Sequence, residues 1–331
     1  MTPTLLLIFL IVISLIFDFL NGFHDSANVV ATMISSRAMS GNAALALAAV
    51  SNLIGPFLFG VAVANTIGHE VAAPESITIY VVLAALLSAS IWNLITWYFG
   101  IPASSSHGLI GGIIGAVIVG SGFKIIKMVG LWKIIIALFL SPIIGFIVGW
   151  LVLIITKRLL RNATPNADIG LKYAQIPTAI ALALSHGTND AQKTMGVITM
   201  GLVVLGFQKE FVVPYWVILI SASAIGAGTA LGGWRIIKTL GGKFYKIRPI
   251  HSFSSQLASA FVILTASFLG GPVSTTQVVS MSIMGAGAGD KISKVRWSVL
   301  KDIFYAWFLT IPLTAILSAI IYLIILLISK I

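Results

Sequence analysis

The chain has 331 residues, of which 58% are hydrophobic and only 9% charged. Water-soluble domains carry about 25% charged residues, so a soluble globular protein is excluded. The net charge of +11, which in a soluble chain would point to nucleic acid, reads here as basic residues holding loops on the cytoplasmic side. No nucleic-acid partner is expected. The absence of cysteine excludes disulfide and thiol chemistry.

Apolar runs of about 20 residues recur along the chain, the length that crosses a bilayer as a helix. They are continuous rather than alternating, which argues against an outer-membrane barrel. The expectation is an all-α integral membrane protein with about 10–12 transmembrane segments. Residues 4–20 form the first apolar segment, interrupted by Asp18. It has no basic flank and runs directly into a polar motif, so it is expected to be a retained helix, not a signal peptide. That motif is Asn21-Gly22-Phe23-His24-Asp25-Ser26-Ala27-Asn28. Gly22 is where a broken helix is expected to unwind.

Residues 43–67 and 77–99 read as further spans, joined by a loop carrying Glu70 and Glu75 without Lys or Arg. Pro102-Ala103-Ser104-Ser105-Ser106-His107 opens the next apolar stretch, which runs to about residue 120. Lys124, Lys127 and Lys133 follow, and 134–156 is a long span. Residues 157–172 are the most polar stretch and divide a first repeat, 1–156, from a second, 173–331. The positive charge of this linker places it in the cytoplasm.

The second half replays the first. Ser185-His186-Gly187-Thr188-Asn189-Asp190-Ala191-Gln192-Lys193 sets Asp190 on Asp25. Ile225-Gly226 falls on Ile54-Gly55, Thr239-Leu240-Gly241 on Thr66-Ile67-Gly68, and Gly285 on Gly115. Pro272-Val273-Ser274-Thr275-Thr276-Gln277 falls on Pro102 to His107. Ordered anchors of this kind mark an internal repeat. The loop at 68–76 is acidic and its partner at 234–250 is basic, which predicts inverted topology, with discontinuous helices and helical hairpins. An odd number of spans per half would put both termini outside.

Two kinds of polar cluster carry the chemistry. An ionised Asp in a membrane helix costs about 3 kcal/mol or more, so Asp25 and Asp190 are functional candidates. Their neighbours Asn28 and Asn189 add oxygen donors of the kind hard cations prefer. Asp18 is a weaker candidate that could be interfacial. Lys193, at the Asn28 position of the second copy, either neutralises an Asp or meets an anion. His24 and His186 are expected to bond locally, the five histidines being too scattered for a metal site.

The second cluster is the pair of Pro-x-hydroxyl-hydroxyl-hydroxyl turns. Pro followed by free amides and hydroxyls describes a helix N-terminus, which favours anions. Ser104, Ser105 and Ser106 on one side and Ser274, Thr275 and Thr276 on the other suit a tetrahedral oxyanion. The spacings Gly111/Gly115 and Gly145/Gly149 are expected to be close helix contacts. There is no nucleotide-binding Gly-x-x-x-x-Gly-Lys-Ser/Thr loop.

At these residues the chain resembles the inorganic phosphate transporter (PiT) family of secondary carriers. The likeness rests on the two Asn-Asp motifs, the two hydroxyl turns and Trp234-Arg235-Ile236-Ile237-Lys238-Thr239-Leu240-Gly241, and runs from about residue 14 to 310. It implies uptake of inorganic phosphate driven by a Na+ or H+ gradient, an inverted-repeat fold, and substrate at the repeat interface. Asn65 and Gln256 stand where many relatives carry acids, and the short linker matches a minimal prokaryotic form.

The function expected is therefore Na+-coupled symport of inorganic phosphate by alternating access in the prokaryotic plasma membrane, with lipid around it. Sodium would sit at Asp25 and Asp190 with Asn28 and Asn189, and phosphate on the six hydroxyls. No covalent cofactor and no enzymatic activity are expected. Proton-coupled transport of phosphate or a metal–phosphate complex is the alternative, followed by a sulfate carrier or a passive anion channel. An intramembrane hydrolase using a Ser of 104–106 with His107 has no evident third group and needs only one of the two copies. A homo-oligomer is compatible with the sequence, although no stripe marks an interface.

Overall fold

The structure, a computed structural model, describes residues 2–70, 78–164 and 166–329; these are helical, with no strand among them. The first half comprises α1 (Pro3–Ser35), α2 (Gly41–Leu58), α3 (Ala62–Glu70), α4 (Ile79–Phe99), α5 (Ser105–Ser121) and α6 (Met128–Leu159). The second comprises α7 (Ala167–Val204), α8 (Tyr215–Leu231), α9 (Trp234–Gly242), α10 (Pro249–Phe268), α11 (Thr275–Asp290) and α12 (Trp297–Ser329). Each half runs long helix, medium helix, nine-residue helix, helical hairpin, 3-10 turn and long helix. The last helix of each carries an internal proline, Pro142 or Pro312.

The halves exchange partners. Helix α1 packs on α8 and α9, while α7 packs on α2 and α3. Helix α5 packs on α12, while α11 packs on α6. Such reciprocity is what a pseudo-two-fold between two repeats produces. It places α1 against α7 at the centre, so the polar motif of each half meets its counterpart. The acidic loop behind the inverted-topology expectation, with Glu75, lies largely outside the described residues. Only 160–166 lie between α6 and α7.

Helices α1, α2, α4, α6 and α12 are long and apolar enough to cross a bilayer. Helices α8 and α9, bent by 69° at their junction, are together apolar enough for a broken span or a re-entrant loop. Helix α7 buries the polar run Ser185 to Lys193, which explains why composition alone passes it over.

The unwinding expected at Gly22 does not occur: α1 is continuous through Gly22, and α7 through Gly187. Both glycines serve close approach instead. A Cβ at Gly22 would collide with the Ile225 carbonyl of α8, and one at Gly187 with the Asn52 carbonyl of α2. The discontinuities lie one helix later, between α2 and α3 and between α8 and α9. There the long helices supply the caps. Ser26 Oγ accepts the Gly233 amide at 2.7 Å at the head of α9. Gln192 Oε1 accepts the Val63 and Ala64 amides at 2.8 and 3.2 Å at the head of α3. The Gly-x-x-x-Gly pairs are the close contacts expected, with Gly111 and Gly115 on Ile311 and Ala315 and Gly149 on Ser282.

Candidate functional site

A stripe of polar residues runs down α1: Ser14, Asp18, Asn21, Asp25, Asn28 and Thr32, all buried. Their alternating spacing of four and three keeps them on one helical face. On α7, His186, Asn189, Asp190 and Lys193 form the matching face. The tips of the α4–α5 and α10–α11 hairpins close the site. Gly100 and Gly270, at φ 67° and 70°, make equivalent left-handed turns that end α4 and α10.

Asp25 Oδ1 accepts the Thr276 hydroxyl at 2.9 Å and lies 2.7 Å from His24 Nδ1. Thr275 Oγ1 stands 3.3 Å from Asp25 Oδ2 and 3.1 Å from Asp190 Oδ2. One hydroxyl has one proton, so it bonds one carboxylate at a time. His186 Nε2 lies 3.2 Å from Asp190 Oδ2 and 3.8 Å from Asp25 Oδ2. The ligand atoms of Asp25, His186 and Asp190 all fall within 4.8 Å of one another.

The tautomer of His186 follows from its other side. Asn52 Nδ2 donates to Thr229 Oγ1 at 2.8 Å, which leaves Asn52 Oδ1 to face His186 Nδ1 at 3.2 Å. Nδ1 therefore carries a proton, and Nε2 faces the two carboxylates, donating to them when the ring is charged and turning a lone pair to them when it is neutral. Such a convergence of acceptors calls for a cation or a further proton. This corrects the expectation that His186 is only a local group. Its i,i+4 spacing to Asp190 was a visible signal; its proximity to Asp25 comes from packing α1 on α7. His24 links Asp25 of its own helix to Thr96 of α4, whose Oγ1 lies 3.3 Å from its Nε2.

Lys193, 1% exposed, pairs with Asp190 Oδ1. Asn28 Nδ2 donates to Thr276 Oγ1 at 3.1 Å. Asn189 donates instead to Ser267 Oγ at 2.9 Å and the Gly271 carbonyl at 3.3 Å, which ties α7 to the α10–α11 tip. The carboxamide oxygens of Asn21, Asn28 and Asn189 are buried without a partner, and the carboxylate of Asp18 is buried beside Thr194. Asp18 is thus a core residue, not an interfacial one. Gln256 is engaged structurally by Thr178 and Thr32.

Ser104 and Ser274 are the N-caps of α5 and α11, their hydroxyls accepting the His107 and Gln277 amides at 3.2 and 3.3 Å. That fixes Ser105, Ser106, Thr275 and Thr276 on the first turns. Ser106 Oγ donates to the Val273 carbonyl at 2.9 Å, joining one hairpin tip to the other. The N-terminus of α11 therefore lies against the two carboxylates, and that of α5 is joined to it through Ser106 and Val273. The 2.7 Å contact between Ser104 Oγ and His107 Nδ1 belongs to the cap, and His107 Nε2 has no partner to orient it for catalysis.

The model of the phosphate transporter family matches residues 21–169 and 161–318. The chain is 44% identical over 322 residues to a probable low-affinity inorganic phosphate transporter of Bacillus subtilis, covering 96% of each chain. It is 43% identical over 319 residues to one of Rhizobium meliloti, again covering 96% of each. A solved structure titled the sodium-dependent phosphate transporter superposes with a TM-score of 0.88 at 25% identity, covering 98% of this chain and 99% of that one.

Proposed function

The chain belongs to the phosphate transporter family, a family of transport proteins rather than enzymes, and we propose that it takes inorganic phosphate into the cell by symport with Na+. The observation that carries this reading is the single Thr275 hydroxyl set between the carboxylates of Asp25 and Asp190. Sodium would sit there, held by Asp25 and Asp190 with the spare carboxamide oxygens of Asn28 and Asn189. Asp18 adds a third buried carboxylate along the same face of α1. Phosphate would bind the hydroxyls of Ser105, Ser106, Thr275 and Thr276 and the first-turn amides of α5 and α11, with Ser104 and Ser274 holding those turns in place. The dipoles of both helices favour the anion.

Charge explains the need for coupling. Lys193 offsets one carboxylate, and phosphate adds further negative charge. Bound cations bring the site toward neutrality before it moves through a low-dielectric interior. Each net positive charge carried inward gains about 2.3 kcal/mol per 100 mV, inside negative. Exchange between the two repeats would expose the site alternately to the two sides, in the plasma membrane of a prokaryote. Titration calorimetry tests the pairing of ligands: phosphate should bind in NaCl and not in choline chloride, and Asp25→Asn should remove the binding seen in NaCl. Equal binding in the two salts would overturn it.

Proton coupling is the second reading, and His186 favours it specifically. Its Nε2 faces both carboxylates, and a proton there would serve where Na+ does. Phosphate binding that strengthens on acidification without Na+ would select this reading.

A further inference from the structure

The two hairpin tips are braced differently. On the α4–α5 tip, Trp307 Nε1 donates to the Pro102 carbonyl at 2.9 Å and Thr239 Oγ1 to the Gly100 carbonyl at 2.9 Å. The Arg235 guanidinium bonds the Tyr98 carbonyl and lies 5.2 and 4.8 Å from the Trp97 and Tyr98 ring centroids. The equivalent positions around the α10–α11 tip are smaller. Setting Thr66 on Thr239 places Ala62 where Arg235 stands, and setting Pro142 on Pro312 places Ala137 where Trp307 stands. Thr66 bonds the Ala62 carbonyl of its own helix at 3.3 Å. The space so freed is a cavity of about 470 Å³ between α6, α10 and the turn Leu269–Val273, with Ala137 and Thr66 in its wall.

The cavity opens outward. Leu140, Ile144, Phe261 and Leu269 line it and are exposed, as apolar side chains that meet lipid tails in a bilayer are. Among the described residues that line it is Lys133, whose side chain is exposed. From Lys133 to Ile144 is about 16 Å along α6 at 1.5 Å per residue. The shape is a narrow apolar slot with a cation at one end. In a bilayer an apolar slot fills with hydrocarbon, and a basic residue near the headgroups attracts anionic lipid.

We infer that this slot is a binding site for an anionic phospholipid, one acyl chain lying against the α10–α11 turn and the headgroup at Lys133. The chain takes the room that Trp307 fills on the other hairpin. The lipid thereby supports the turn that precedes Thr275 and Thr276. This inference is independent of which ion drives transport.

The test uses the full-length protein in phosphatidylcholine nanodiscs containing a trace of phosphatidylglycerol with a photoactivatable diazirine in its acyl chain. Label should concentrate in peptides 134–144 and 261–273. Excess unlabelled phosphatidylglycerol should compete it away, and added phosphatidylcholine should not. Ala137→Trp, which copies the other repeat, and Lys133→Glu should each lower the label about fivefold or more. Label spread evenly over the outer helices, or unchanged by competitor, would overturn the proposal. So would cross-links from the slot to a second copy of the chain, which would show that protein covers it. The competition arm needs no variant, so a misfolded Ala137→Trp does not rescue the idea.

Discussion

Asp25 on α1 and Asp190 on α7, one from each repeat, stand on either side of the single Thr275 hydroxyl, at 3.3 and 3.1 Å. Two ionised carboxylates within 4.8 Å repel by roughly 3–4 kcal/mol at an effective dielectric of about 20. A cation between them converts that repulsion into binding energy. Asp25→Asn and Asp190→Asn should therefore each reduce Na+-driven phosphate uptake to background. Thr275→Val, which removes the shared donor but leaves both acids, should keep measurable uptake while weakening phosphate affinity about tenfold, the worth of one charge-assisted hydrogen bond. Radiolabelled uptake and equilibrium binding separate these outcomes.

Lys193 and Asp190 are a fully buried pair. Removing either partner strands a charge, at a cost of about 3–5 kcal/mol. Lys193→Met and Asp190→Asn should each lower the thermal midpoint strongly, whereas the double variant should recover most of the loss. It should not recover uptake. Additive losses in the double variant would show that the pair is not coupled.

Gly22 and Gly187 are at helix crossings, where an added Cβ meets backbone rather than a movable side chain. Gly22→Ala and Gly187→Ala should each destabilise by about 1–3 kcal/mol, the usual cost of overpacking. Gly170, on the same helix as Gly187 with open space around it, is the control, and Gly170→Ala should leave the midpoint unchanged or raised.

These glycines also mark where sequence reasoning reached its limit. The duplicated Asn-Asp motifs and hydroxyl turns were readable because each half repeats the other's residues in order. The hairpins and the helix starts at the hydroxyl turns follow from that pattern; the capping role of Ser104 and Ser274 and the approach of Thr275 and Thr276 to Asp25 come from the fold. Unwinding at Gly22 did not follow, because a glycine in an apolar run signals equally a break or a close contact, and only the partner helix decides. The sequence shows only a local role for His186, because its approach to Asp25 is a tertiary contact across 161 positions. The place of Asn189 in the motif puts it among the expected cation ligands; its amide nitrogen braces the α10–α11 tip through Ser267 and Gly271, a tertiary role the motif does not announce, and its oxygen is left for the cation.

Asp290 ends α11 at the basic rim of the protein, facing Lys157 at 2.6 Å, Arg248 at 2.9 Å, Lys294 at 3.1 Å and His251 at 3.4 Å. Burial alone would raise its carboxyl, but the hydrogen bonds from Lys157 and Lys294 and the Arg248 charge hold it well below the usual carboxylate range. A depressed folded-state value contributes stability above the unfolded value, near pH 4, and loses it as the pH falls further. Asp290→Asn should thus lower stability by about 1–2 kcal/mol uniformly from pH 8 to 5. The gap to the parent should narrow only below about pH 4, measured as thermal midpoint against pH.

Labelled phosphate uptake into proteoliposomes, with an imposed Na+ gradient and separately an imposed pH gradient, tests the central claim most directly. The account predicts accumulation that follows Na+, ignores pH, and disappears in Asp25→Asn and Asp190→Asn. Accumulation that follows the pH gradient alone, or Na+ dependence unchanged in either variant, would contradict it.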